Sequence, residues 1–340
     1  MRAIIYSEPG SADVLRFVER AVPEPGAGEV RVRIAVSGVN PTDWQARRSG
    51  AAGFPEITPH LDGAGTIDAV GEGVDEHRIG QRVWVFLAAA GRPTGTAAEF
   101  AVVPADRTVP LPDDVGFDVG AALGVPALTA HRALTVAEDG PSRLAPGALD
   151  GKVVLAAGGA GAVGHAVIQL ARWAGATVIS TVSSPEKARL ATAAGAHHVI
   201  DYRAGAPADV IRALAPDGVD IVAEVAFAAN VDLDLAVLRP RGTIAVYAND
   251  GGANVELDVM TSMIRNARMQ FVVLYTAGRQ ARDAAVEAVA AAVRAGALPV
   301  GDEHGLPLLR FPLEHTADAH RAVEGHAVGK VLVDVAPRRC

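Results

Sequence analysis

A strand-like run, Val153-Val154-Leu155-Ala156-Ala157, leads into Gly158-Gly159-Ala160-Gly161-Ala162-Val163-Gly164 and then into an apolar helical stretch, Ala166 to Trp173. Gly159, Gly161 and Gly164 satisfy G-x-G-x-x-G between a strand and a helix, and a second strand over Thr177 to Val182 follows. In that setting the glycines have distinct tasks: a tight turn, close approach of backbone to a pyrophosphate, and close helix–strand contact. The helix N-terminus adds unpaired N–H groups and the positive end of its dipole. The motif alone is weak in a chain with 36 glycines. Its flanking elements make it a dinucleotide site, with residues 158–163 as the phosphate cradle.

The end of the second strand bears on which dinucleotide. An NAD site usually places Asp or Glu there, to bond the ribose 2′-OH. Here the chain reads Val182-Ser183-Ser184-Pro185-Glu186-Lys187, with no carboxylate at the strand end. Ser183, a helix N-terminus opening at Pro185, and Lys187 one turn in suit a 2′-phosphate dianion, which favours NADPH over NADH. Ser184 also reads as a simple helix cap, with Lys187 solvated. The two roles are compatible, and Glu186 weakens the phosphate reading by its charge.

Around this centre the composition sets limits. The chain has 340 residues, enough for two domains, and is 50% hydrophobic and 21% charged, as a globular protein is. It holds no run long and apolar enough for a membrane span, and Met1-Arg2-Ala3-Ile4-Ile5-Tyr6 reads as a strand rather than a leader. A net charge of −8 argues against nucleic-acid binding. One cysteine, Cys340, excludes an internal disulfide and a four-cysteine zinc site. A cytoplasmic location is expected.

Residues 1–125 read as β-rich: Val30 to Val36 alternates apolar and polar, and Thr66 to Val70 and Arg82 to Phe86 are further strands. From about residue 120 strands and helices alternate, with strands near 153–157, 177–182, 198–201, 219–223 and 242–247. That is the doubly wound parallel pattern. A helix follows over Arg279 to Ala295, and the tail, including Lys330 to Val335, returns to β texture. The expected division is a first domain of 1–125 completed by 298–340, and a nucleotide-binding domain of 126–297.

With these elements in place, the chain resembles a medium-chain dehydrogenase/reductase of the zinc-free quinone oxidoreductase (zeta-crystallin-like) branch. The markers are Gly38-Val39-Asn40-Pro41-Thr42-Asp43-Trp44, Asp62-Gly63-Ala64-Gly65, Val70-Gly71-Glu72-Gly73-Val74, Gly80-Gln81-Arg82-Val83, Pro126-Ala127-Leu128-Thr129-Ala130, the glycine loop and Gly329-Lys330-Val331. The resemblance spans nearly the whole chain and implies an α/β fold: a Rossmann doubly wound parallel sheet plus a β-rich GroES-like catalytic domain. Zinc-dependent members of that superfamily hold their metal with a cysteine near the Asn40 position and a His-Glu pair where this chain has Leu61-Asp62. Thiolate and imidazole are both missing, so no metal is expected.

The resemblance further implies NADPH-dependent hydride transfer to a quinone or related conjugated carbonyl. It places Asn40 and Trp44 in the pocket and Thr129 near the reacting face of the nicotinamide. It adds Tyr202 to the 2′-phosphate contacts, Val225 and Ala226 beside the adenosine ribose, Tyr247 near the nicotinamide ribose, and Lys330 reaching the cofactor from the tail. For each pocket residue there is a plainer role: a turn at Asn40 before Pro41, core packing at Trp44, a helix cap at Thr129. The apolar run Phe271-Val272-Val273-Leu274-Tyr275 reads as an edge strand that must be covered, and the resemblance implies a homodimer through it. Two other readings stand beside this one: an enoyl or enone reductase acting on a polyketide-like intermediate, and a non-catalytic NADPH-binding redox sensor.

Overall fold

A computed structural model describes residues 1–50 and 53–336; Cys340 lies outside them. The described chain forms two units, residues 1–125 with 308 onward, and residues 126–307.

The first unit begins with a β1 (Arg2–Ile5) and β2 (Arg16–Glu19) hairpin. A long strand, β3 (Glu29–Val39), follows. Its residues alternate between buried and exposed up to Ala35 and are all buried from Val36 on, where both faces are covered. Helix α1 (Pro41–Ser49) starts directly after it, with Pro41 at its first position. Strands β4 (Asp62–Val70), β5 (Arg82–Val85), β6 (Phe100–Pro104) and β7 (Thr108–Pro110) complete the β-rich segment. Helix α2 (Phe117–Leu134) carries the chain onward and has Pro126 inside it.

The second unit is a six-stranded parallel sheet of β8 (Val153–Ala157), β9 (Thr177–Val182), β10 (His198–Asp201), β11 (Val219–Glu224), β12 (Leu238–Val246) and β13 (Arg268–Phe271). Helices α3 (Ala162–Trp173), α4 (Pro185–Ala193), α5 (Pro207–Leu214), α6 (Phe227–Val237) and α7 (Val259–Ile264) connect successive strands. Helix α8 (Arg279–Arg294) follows the last strand. The spatial order β10-β9-β8-β11-β12-β13 is the 3-2-1-4-5-6 order of a dinucleotide-binding sheet, whose ligand crevice lies at the strand ends where the order reverses, between β8 and β11. Leu155, Ile179, Val222, Phe227 and Ile244 belong to its apolar core.

The chain then returns to the first unit as β14 (Leu308–Pro312), α9 (Thr316–Glu324) and β15 (Lys330–Asp334). β15 lies between β14, which it parallels, and β3, with Val331 opposite Val39. The resulting order is β14-β15-β3-β4-β5-β7, with β6 also on β3. Val32, Ile34, Ile67, Val83 and Val333 pack in its core.

The doubly wound parallel sheet and the β-rich unit expected from the sequence are both present. One element differs. The edge strand ends at Phe271, and Leu274–Thr276 form a 3-10 turn rather than a continuation of it. Apolar composition drew the expected strand too far along the chain: only Arg268–Phe271 pairs with β12 in register.

Candidate active site

In the second unit the glycine loop joins β8 to α3. Gly158 adopts a left-handed φ of 68°, and a Cβ there would meet Val225 Cγ1 at 3.2 Å. At Gly159 a Cβ would overlap Ser180 Oγ, at 2.0 Å, and at Gly164 the Gly158 carbonyl, at 2.4 Å. Those two glycines are therefore demanded by the protein's own packing. Gly161 is not: a Cβ there would meet only Gly158 O at 3.5 Å, and its φ of −85° suits any residue. The space in front of Gly161, at the N-terminus of α3, is open to a ligand. Ala160 is buried in the turn, and Ala162 and Val163 open the helix, where N–H groups lack intrahelical partners. The cradle thus fits a pyrophosphate.

Past the end of β9, Lys187 Nζ donates to Ser183 Oγ at 3.2 Å, and Ser184 Oγ caps α4 by accepting from Lys187 N at 3.3 Å. Asp201 pairs with Val182, and Tyr202 N donates to Val182 O at 3.1 Å, so Tyr202 lies beside the serines. The guanidinium of Arg203 stands 5.9 Å from the Tyr202 ring centroid. Arg203 is a cation that the sequence reading passed over, although its place just beyond a strand end was a signal. Glu186 is exposed.

Two more strand ends close the group. Glu224 is buried at the end of β11 and accepts from Ala226 N and from Asn230 Nδ2, fixing the Val225–Ala226 turn. Burial pushes its carboxyl upward. Tyr247 N donates to Glu224 O at 3.0 Å, and its hydroxyl reaches Ala157 O at 3.5 Å. Gly158, Val225 and Tyr247 are thereby gathered at the ends of β8, β11 and β12. Thr129 is buried in α2.

In the first unit, Asn40 ends β3 and starts α1. Its backbone N–H donates to Asp43 Oδ2 at 2.7 Å, a capping arrangement three residues into the helix. Its side-chain Nδ2 donates to Asp62 Oδ2 at 2.7 Å, and its Oδ1 accepts from Lys330 Nζ at 2.7 Å. Lys330 also donates to Val39 O at 3.1 Å and stands 4.0 Å from Asp62. Val125 N donates to both Asp62 oxygens, at 3.0 and 2.9 Å. Two carboxyls and one ammonium thus share a buried space. Burial pushes both carboxyls up, Asp43 to about 7, and pushes Lys330 down. Trp44, on α1, is half-buried, with the Arg48 guanidinium 5.4 Å from its ring centroid.

Asp62 and Asp43 are the residues that sequence reasoning missed as members of this cluster. The Asn-Pro-Thr-Asp spacing of the cap was the available signal for Asp43. Nothing local marks Asp62, whose partners come from residues 40, 125 and 330. His60 is engaged on both ring nitrogens, with Ser37 Oγ at 2.8 Å and His320 Nε2 at 2.9 Å. Ser37 Oγ in turn lies 2.7 Å from Thr96 Oγ1, which donates to Asp62 O at 2.5 Å. His60 has a left-handed φ of 79°, and this chain of bonds links it to the backbone carbonyl of Asp62. Among the described residues no group of three or more His, Cys, Asp or Glu could hold a metal ion.

A sheet of this order with a glycine cradle, together with a mixed β unit, defines a dinucleotide-dependent oxidoreductase fold. Comparisons with known proteins agree. The model of the alcohol dehydrogenase GroES-like domain matches residues 26–113, and that of the zinc-binding dehydrogenase matches 162–291. The quinone oxidoreductase of Lama guanicoe is 32% identical over 98% of this chain and 97% of its own. A 2-haloacrylate reductase of a Burkholderia species is 30% identical over 98% of both. A solved mycobacterial relative complexed with NADPH superposes with a TM-score of 0.80 at 31% identity, over 98% of this chain and 99% of that one. The chain belongs to the medium-chain dehydrogenase/reductase superfamily, in its quinone oxidoreductase family.

Proposed function

We propose that the protein transfers hydride from NADPH to a quinone or related conjugated carbonyl without a metal ion. The observation that carries this reading is the open cradle at Gly161, with a Ser183–Lys187 pair and no carboxylate at the end of β9. The full-length similarity to quinone oxidoreductases supports the acceptor class. When bound, NADPH supplies the hydride. Gly158, Gly159, Ala160, Gly161, Ala162 and Val163 would hold its pyrophosphate. Ser183, Lys187 and Tyr202 would hold its 2′-phosphate, and Val225, Ala226 and Tyr247 would line its path along the strand ends. In this reading residues 1–125 with the returning tail form the catalytic domain and the parallel-sheet unit the nucleotide domain.

An acceptor that gains hydride develops negative charge on an oxygen, which needs a donor. Asn40 offers an amide N–H, Thr129 a hydroxyl, and Trp44 a pocket wall. Neither donor is acidic at neutral pH, so they position and stabilise rather than give up a proton. The metal-free reading is supported by the donor set. Asn40 faces an ammonium, which repels a dication, and His60 is bonded on both sides.

A second reading, reduction of an activated alkene, is supported by the 2-haloacrylate reductase similarity, since an acrylate is an alkene conjugated to a carboxyl group. Following loss of NADPH absorbance against quinones and enones, with NADH in parallel, tests both. Turnover of quinones with NADPH preferred upholds the main reading, and turnover of enones alone selects the second. Tight NADPH binding with no turnover on any acceptor overturns both and leaves the redox-sensor alternative.

The protein is further proposed to be a cytoplasmic homodimer. Among the described residues β13 pairs with β12 alone, and Phe271 is 64% and Val273 54% exposed beside it. Met260, Met263 and Ile264 of α7 are exposed too. An apolar edge of this kind needs cover. Among the described residues no helix is long and apolar enough to cross a membrane, and a single cysteine suits a reducing compartment.

A further inference from the structure

We propose that Lys330 is a positioning residue whose ammonium, together with Asp62, fixes which way the Asn40 amide faces. The inference rests on the pocket role proposed for Asn40, and it departs from the cofactor contact that family resemblance implies for Lys330.

An amide has one acceptor end and one end with two donors, and nothing in its shape distinguishes them. Its neighbours must. Lys330 Nζ, 2.7 Å from Oδ1, has donors only; the Asp62 carboxylate, 2.7 Å from Nδ2, has acceptors only when ionised. Reversing the amide would set N–H against N–H and oxygen against carboxylate oxygen. Asn40 and Lys330 are 2% exposed and Asp62 is 0%, so water cannot relieve that conflict. The two clamping groups are themselves held: Asp62 by Val125 N, and Lys330 by Val39 O and by its register on β15 beside the end of β3. With Oδ1 occupied by Lys330 and one N–H occupied by Asp62, the remaining N–H of Nδ2 is the donor left for an acceptor oxygen.

The two roles for Lys330 separate in a double-mutant cycle. Acting through Asn40, Lys330→Met lowers kcat/KM for benzoquinone on the order of tenfold and leaves the Kd for NADPH within about twofold. In an Asn40→Ala background the same substitution adds less than about twofold. Because Lys330→Met strands a buried carboxylate, the cycle is repeated with Lys330→Met/Asp62→Asn, which removes both charges. The structural arm uses isotope-labelled asparagine and magnetic resonance. The Asn40 side-chain NH2 pair, identified by its loss in Asn40→Ala, is shielded from solvent exchange in the wild type and loses that protection in both Lys330 variants. A rise in the NADPH Kd that matches the kinetic loss and persists in the Asn40→Ala background overturns the proposal, as does an Asn40 NH2 signal unchanged by Lys330→Met. If the wild type reduces no acceptor, the functional reading fails, and the exchange measurement still decides the role of Lys330.

Discussion

Lys187 Nζ reaches back across the first turn of its helix to Ser183 Oγ, 3.2 Å away, so a cation and a hydroxyl meet just beyond the end of β9. A 2′-phosphate placed there gains a charge-assisted bond that a 2′-hydroxyl cannot match. Lys187→Ala is expected to raise the KM for NADPH about tenfold while shifting that for NADH within about twofold. Steady-state kinetics with both cofactors checks this, and equal rises would refute the 2′-phosphate assignment.

Gly161 and Gly164 make a matched pair of tests. Gly161→Val puts a branched side chain into the space that the fold leaves open, so NADPH affinity should fall roughly a hundredfold with Tm nearly unchanged. Gly164→Val drives its side chain into the Gly158 carbonyl and should lower Tm markedly. Calorimetry of binding and of unfolding on the two variants separates them. Unchanged NADPH affinity in Gly161→Val sinks the cradle.

How much of this was legible in the sequence differs between the two units. The first four strands of the parallel sheet were readable to within a residue, because each is a short apolar run closed by a turn signal, as in Thr177–Val182 before Ser183-Ser184-Pro185, whereas β12 begins four residues earlier than its apolar run suggests. The glycine loop and the Ser183–Lys187 pair were readable because their partners are a few residues apart. The Asn40 cluster was not. Its members stand at positions 40, 43, 62 and 330, and only the register of β15 on β3 brings Lys330 to Asn40. Nor does hydropathy mark where an apolar strand stops pairing, which is why β13 ends at Phe271 while the apolar run continues.

The buried carboxyls make stability depend on pH. A carboxyl whose folded pKa lies above its unfolded value favours the fold while protonated. For Asp43 that contribution is full below 3.8 and is lost as pH rises toward about 7. The carboxyl contribution to Tm should therefore fall across that interval, shared between Asp43 and Asp62, while buried His131 and His165, lowered to about 4, act in the opposite direction. Asp43→Asn should accordingly make the Tm–pH slope more positive than in the wild type. An unchanged slope in Asp43→Asn would assign the dependence to other groups.

Treatment with a strong chelator is expected to leave turnover within about twofold of the untreated rate, since the donor set around Asn40 lacks a tight zinc site. A loss of activity restored by added zinc would overturn the metal-free mechanism.

Phe271→Asp places a charge on the exposed edge strand. Sedimentation should show the wild type at twice the chain mass and the variant at the chain mass. A wild type that is already monomeric at micromolar concentration removes the proposed dimer.

The sheet of the first unit is interrupted by the whole second unit, and this sets an order of events during synthesis. Residues 126–307 form a contiguous body that can fold as soon as it has left the ribosome, whereas β3, although it can already pair with β4 and β6, leaves its Val36–Val39 end waiting for β15. Lys330 is the counter-charge that Asp62 has among the described residues, so until it emerges burying the Asp62 carboxylate would cost several kcal/mol. A nascent chain truncated before β14 should therefore hold a folded nucleotide unit on an unsettled amino-terminal segment. Truncation short of residue 330 should abolish closure of the first unit while leaving the glycine cradle able to bind NADPH.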